Sequence, residues 1–262
     1  MYAARDLQGE GLDDGDSRFR GDVPGGTLRG VTARPLQHHL PPAHLRGTPL
    51  GQALGLPRPI AARLAALRTP ERIQDYVNSL AWNYESDGQT ARSAVEAIRH
   101  GEAHCVEGAF VAACGLWLAG EPPLVMDMGA ARGDVDHVVA LFRRHGRWGA
   151  ISKSNSPFLR YRDPIYRSLR ELSLSFFPQY VKGRRKTLRT YSVAIDLRRF
   201  DPALWITHPT FCDHVVDSLT FARHFQLLPP GQRVRLRSID EIEARSNLLR
   251  DHPRRGRGEV AG

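Results

Sequence analysis

Nucleophilic chemistry in this chain has few candidate carriers: three cysteines, Cys105, Cys114 and Cys212, and eleven histidines. Cys105 stands where a helix should open, because Val106, Ala109, Phe110, Ala113, Leu116 and Trp117 follow at helical spacing. Unpaired N–H groups and the helix dipole favour negative charge at such a start, so the thiol's pKa should fall. The thiolate is the form that attacks carbonyl carbon. Cys114, mid-helix among alanines, and Cys212, in FCDH, read as small buried hydrophobes. Three cysteines make an odd, sparse set, which argues against a disulfide scaffold.

A thiol nucleophile needs a base close in space. His137 opens the run HVVALF, which reads as a strand, and it follows the Cys105 helix after one intervening strand, Leu124 to Met128. That order can bring the start of the second strand beside the helix N-terminus. A third residue must orient the imidazole. With Arg143 to Gly146 as a four-residue turn, 142 faces 147 and 137 faces Ser152, while Asn155 lies just beyond the strand RWGAIS. A one-residue slip would put Lys153 opposite instead and reverse the facing. Upstream, the Trp82 indole is a candidate oxyanion donor beside the Cys105 N–H, with Asn83 as the other candidate.

The residues AVEAIRHGEAHC, the small-residue helix VEGAFVAACGLWL, the strand opening DHVVALF and the tryptophan strand RWGAIS resemble the transglutaminase-like superfamily, which shares the papain-type cysteine core. The likeness runs from about 91 to 155. It implies an α+β fold with an antiparallel sheet packed on the cysteine helix, Cys105 as nucleophile and His137 as general base. It implies acyl transfer from glutamine or peptide carbonyls to an amine or water, and no cofactor. The family's usual Asp a few residues after the strand tryptophan falls on Ser152 here, which supplies no carboxylate.

Upstream of the site, Pro59 to Leu67 reads as a short helix, and Thr69-Pro70-Glu71 opens another that runs on through ERIQDYVNSLAWNY. Arg92 to Arg99 is a third, stopped by Gly101. Beyond the site, 165 to 180 and 209 to 225 are expected to be helical, and 190 to 197 a strand. Asp163-Pro164 is a plausible helix start, and Arg160 or Arg162 could meet a substrate carboxylate from the wall of the cleft. Residues 1–57, with Gly-Gly and Pro-Pro pairs and no sustained period, are expected to be poorly ordered, partly from a translation start placed too far upstream. The ordered α+β domain is expected over 58–250 and a mobile tail over 251–262.

The formal charge of +9 is concentrated: from Arg160 to Arg199 eleven basic residues face three acidic ones. The densest part, VKGRRKTLR (181–189), either lies in solvent or docks an acidic or phosphate-bearing partner. Two rival readings follow. One is a zinc site from His104, Cys105, His137 and Asp134 or Asp136, without C-x-x-C or H-E-x-x-H spacing. The other is a papain-like core that has lost its chemistry and binds an acidic partner. No run of about 18 apolar residues spans a membrane, and no apolar leader stands at the N-terminus, so the expected location is the cytoplasm.

Overall fold

The computed structural model describes residues 40–253. Expectations for 1–39 and 254–262 lie outside the described residues. Gly47–Ala53 forms α1 and Arg58–Leu67 forms α2, which carries Pro59 in its first turn where the missing N–H costs nothing. Helix α1 lies inside the stretch expected to lack order, and its Leu50 is buried in the core. Pro70–Ser79 forms α3, with the Thr69 hydroxyl accepting from the Arg72 N–H. The helix stops at Ser79, five residues short of Tyr84, where the stretch expected to be helical ends. Leu80 turns extended, and Ala81–Trp82 forms the short strand β1.

Ala94–His100 forms α4, capped by Ser93 and closed by Gly101 at φ 68°. Glu102–Ala103 forms β2, which pairs with β1 in parallel, Trp82 opposite Ala103. Cys105–Leu118 forms α5, buried along nearly its whole length, as its small and apolar residues require. Then come β3 (Leu124–Met128), β4 (His137–Arg144), β5 (Arg147–Ile151) and β6 (Arg162–Tyr166), followed by α6 (Leu169–Phe176). Val181–Lys182 and Arg185–Lys186 are β7 and β8 of a small basic hairpin. Thr190–Ser192 is β9, Ile195–Asp196 β10, Asp213–Thr220 α7, His224–Gln226 β11 and Glu241–Ser246 α8.

The main sheet has the order β10-β3-β4-β5-β6, antiparallel throughout. One face, including Val138, Ala140, Phe142 and Ile151, belongs to the same core as α5. The other, including Val139, Leu141 and Ala150, packs with Leu172 and Phe176 of α6. The chain is therefore a mixed helix-and-sheet structure built on an antiparallel sheet.

Three expectations need correction. The β4–β5 hairpin turns on two residues, His145 at φ 49° and Gly146 at φ 75°, so Arg144 pairs with Arg147 and Phe142 with Gly149. Positive φ at both turn positions matches the twist of the strands, and Gly tolerates it without strain. The register thus differs by two from the expected one, and a shift of two preserves which face each residue occupies. Asp163-Pro164 lies within edge strand β6, not at a helix start; an edge strand tolerates proline. Segments 190–197 and 209–225 are each divided: β9 and β10 enter different sheets, and α7 ends at Thr220 before β11.

Candidate active site

Helix α5 presents Cys105 at its first position, half-buried at the edge of a cavity of about 480 Å³ lined in part by Trp82, His104, His137, Asn155 and Tyr180. Sγ lies 3.9 Å from the Asp136 carbonyl oxygen and 3.9 Å from Nδ1 of His104. Burial by itself pushes the thiol's pKa up. Hydrogen bonding to His104 and His137, and the charge of each imidazole, outweigh it and bring the pKa down to about 5. Cys114 and Cys212 lack such partners, and burial pushes each up to about 12.

The register explains why His137 meets Ser152. Residues 137, 139 and 141 share a face with 150 and 152, so Ser152 is a diagonal neighbour of His137 even though the two are not directly opposed. His137 Nε2 lies 2.6 Å from Ser152 Oγ, and that Oγ lies 2.6 Å from the Leu159 carbonyl oxygen. A carbonyl carries no proton, so the serine hydroxyl donates to Leu159 and accepts from Nε2–H. This fixes the neutral tautomer with its lone pair on Nδ1, the nitrogen left for the thiol. The rings of Phe176 and Tyr180 stand 6.4 Å from the imidazole, which is 6% exposed. Ser152 is held in turn by the buried Gln74 of α3, whose amide accepts from the Ser152 N–H at 2.9 Å and donates to its carbonyl at 3.0 Å.

The second imidazole is His104. Its Nε2 lies 2.9 Å from the Thr90 carbonyl oxygen, so Nδ1 faces the sulfur. Glu107, fully buried in the first turn of α5, accepts from the His104 N–H, Asn83 Nδ2, the Thr90 hydroxyl and the Arg92 N–H. Burial opposes its ionisation, but the nearby His104 charge and these donors hold its carboxyl below the usual value. For His104, burial disfavours the cation, yet the Cys105 hydrogen bond and the Glu107 charge raise its pKa. The thiol thus faces two imidazoles, one backed by a carboxylate and one by a hydroxyl.

Helix α5 approaches the end of β5 closely because residue 108 is glycine: a Cβ there would stand 2.3 Å from the Lys153 Cβ. Lys153 is itself buried, with its ammonium donating to the Asn78 and Leu80 carbonyls at the C-terminal end of α3.

Other candidate residues are placed as follows. Trp82 lines the cavity, brought beside the start of α5 by the β1–β2 pairing. Asn83 lines the cavity too, but its side-chain amide is committed to Glu107 and Thr90. Asn155 lines the cavity, but its side chain bonds Tyr84 and the main chain of His252, so it does not orient the imidazole. Arg160 pairs with Asp251 at 2.6 Å. Arg162 is turned inward, bonded to Ser175 and to the Phe158, Arg160 and Tyr161 carbonyls, with its guanidinium 4.0 Å from the Phe176 ring centre. Arg162 is thus committed to contacts within the fold and is not among the residues lining the cavity. Among the described residues no group of three or more His, Cys, Asp or Glu side chains is arranged to hold a metal. Among them, too, no helix is long and apolar enough to cross a membrane.

The roles of His104, Glu107 and Gln74 escaped the sequence reading, in which His104 figures as a candidate zinc ligand. The pattern H-C-x-E, with His before the thiol and Glu at the third helical position, is the one signal that could have found the first two: it is the spacing of a helix cap that reaches back. Compared with known proteins, the chain matches no family model and no curated protein.

Proposed function

We propose that this chain is a thiol-dependent acyltransferase or amide hydrolase with a transglutaminase-like, papain-type core, acting on a glutamine or peptide carbonyl. The observation that carries the reading is the Cys105 thiol at a helix start beside two imidazoles, with Nε2 of His137 held by Ser152 so that Nδ1 is the nitrogen left for sulfur. Nδ1 of His137 takes the thiol proton, and the thiolate attacks the carbonyl carbon. The developing oxyanion meets the Cys105 N–H and the Trp82 indole. The intermediate collapses to a thioester as Nδ1 returns the proton to the departing amine. Water or a second amine, deprotonated by Nδ1, then releases the acyl group. Throughout, Nε2–H stays on Ser152, and His104 with Glu107 behind it stabilises the thiolate.

The test is iodoacetamide labelling across pH, wild type against His137→Ala, with the labelled cysteine found by mass spectrometry. Labelling confined to Cys105 below pH 7, with that selectivity lost in the variant, supports the reading. Labelling that rises only near the free-thiol value of about 8.5 sinks it.

A second reading, binding without catalysis, draws on Ser152 standing where a carboxylate would serve and on the hairpin of β7 and β8. Arg132, Lys182, Arg185 and Arg189 gather there around a recess of about 220 Å³. Heparin retention at physiological salt, combined with an unreactive Cys105, would favour it.

A further inference from the structure

The chain's own C-terminal segment enters the cavity wall. After α8, Asn247 and Arg250 line the cavity that holds Cys105. Beyond them Asp251 and His252 are held by main-chain contacts. The Asn155 side-chain amide donates to the His252 carbonyl at 3.0 Å and accepts from the His252 N–H at 2.8 Å. The Asp251 N–H donates to the Asn155 carbonyl at 3.0 Å, and the Tyr84 hydroxyl donates to the His252 carbonyl. The Asp251 carboxylate meets Arg160 at 2.6 Å.

These contacts differ in kind from the packing elsewhere. The buried Asn155 reads both the N–H and the C=O of one residue, as a neighbouring strand would, and so grips a peptide without regard to its side chain there. Little apolar burial anchors the segment: Leu248 is 73% and Leu249 58% exposed. An occupant held by a few polar contacts, with its leucines in water, is readily exchanged.

We propose that Asn155 and Tyr84, with Arg160 beside them, form a subsite for the main chain of an extended peptide next to Cys105, and that residues 251–252 are its internal occupant. The proposal rests on the thiol-acyl reading and narrows its substrate to a peptide or protein segment carrying an acidic residue, which takes the place of Asp251 on Arg160. Displacement of the chain's own segment accompanies substrate entry.

The experiment uses the full chain and a fluorescein-labelled peptide of the sequence of residues 247–253, with fluorescence anisotropy as the readout. In the Asp251→Pro/His252→Pro variant the internal occupant loses both N–H donors and its carboxylate, while the subsite is untouched. A tethered competitor acts at an effective concentration of order millimolar, so its release should tighten peptide binding about tenfold over wild type. In that background Asn155→Ala abolishes binding. Arg160→Glu weakens binding of the acidic peptide and strengthens that of a peptide with Lys in place of the Asp, a reversal that misfolding would not produce. Equal affinity in wild type and the proline variant, or no reversal with Arg160→Glu, overturns the proposal. Anisotropy needs no reactive thiol, so Cys105→Ser keeps peptide binding if the subsite stands, while the alkylation profile judges the thiol reading separately.

Discussion

Nε2 of His137 and Oγ of Ser152 stand 2.6 Å apart in a buried setting, with the hydroxyl proton already committed to Leu159. Serine therefore orients the ring and selects the tautomer but brings no charge to stabilise an imidazolium. Ser152→Ala leaves the Nε2–H buried without an acceptor, which should cost about 1–3 kcal/mol of stability. It also frees the ring to rotate and change tautomer, so Cys105 alkylation at pH 6 should slow by about tenfold or more. Urea unfolding and single-site alkylation rates measure the two effects. A variant as fast as wild type would mean that Ser152 only packs. Ser152→Asp tests the charge: a carboxylate beside the Leu159 carbonyl resists ionisation, so this variant should lose more stability at pH 8 than at pH 5.

Glu107 acts on the thiol through His104. Its oxygens accept from main-chain N–H groups and side-chain donors, so Glu107→Gln turns an NH₂ toward donors in a fully buried site. A loss of about 3 kcal/mol or more is expected. The His104 cation also loses its closest support, and the midpoint of Cys105 labelling should move upward from about 5. His104→Gln should move that midpoint the same way with a smaller loss of stability, because Glu107 keeps its other donors. If His104→Gln leaves the midpoint in place, the second imidazole has no part in holding the thiolate.

Gly108 sets the distance between α5 and the end of β5. Gly108→Ala puts a methyl 2.3 Å from the Lys153 Cβ, and overpacking of this kind costs about 1–3 kcal/mol. The added carbon would meet main-chain-proximal atoms that cannot swing away, so α5 itself must shift, carrying Cys105 with it. Reduced stability together with slower low-pH alkylation is the expected pair of outcomes. Gly115→Ala serves as the comparison: there the nearest atoms belong to the Ile73 side chain at 3.3 Å, which can adjust, and the Cys105 end of the helix is remote. Equal effects from the two substitutions would remove the claim that residue 108 positions the site.

What the sequence made legible was what local pattern controls. The helix from Cys105 to Leu118 and the strand from Leu124 to Met128 occupy the expected residues, because apolar spacing is a local signal. The His137–Ser152 meeting was reached through a register wrong by two, since pleat parity survives an even shift while the turn type does not follow from Arg143 to Gly146 alone. The roles of His104, Glu107 and Gln74 are not legible in the sequence because they depend on burial and on partners such as Asn83 and Ser152, which chain spacing cannot supply. Asn155 lies near the strand end, close enough in sequence to be a candidate partner of the imidazole, but its amide bonds the His252 main chain instead.

Asp136 precedes His137, and its carbonyl oxygen lies 3.9 Å from the Cys105 sulfur. Burial, then the charge of Asp127, raise its carboxyl to about 6, while its Oδ1 accepts from the Ala130 N–H at 2.7 Å. An acid whose folded pKa lies above its unfolded value near 3.8 holds its proton more tightly when folded. Its contribution to stability is therefore greatest below that lower value, is lost as pH rises through 6, and stays lost above it. Asp136→Asn keeps the oxygen that accepts from Ala130 and removes the ionisation. It should be more stable than wild type at pH 8 by about 1–2 kcal/mol, allowing for partial solvent screening. The advantage should shrink as pH falls below 6. The same carboxylate repels the thiolate, so removing its charge should also lower the Cys105 labelling midpoint. Chemical denaturation from pH 4 to 8, with alkylation on the same samples, reads both. A stability difference that does not change with pH would show that Asp136 ionises as an ordinary surface carboxylate, and its place beside the thiol would then be one of shape alone.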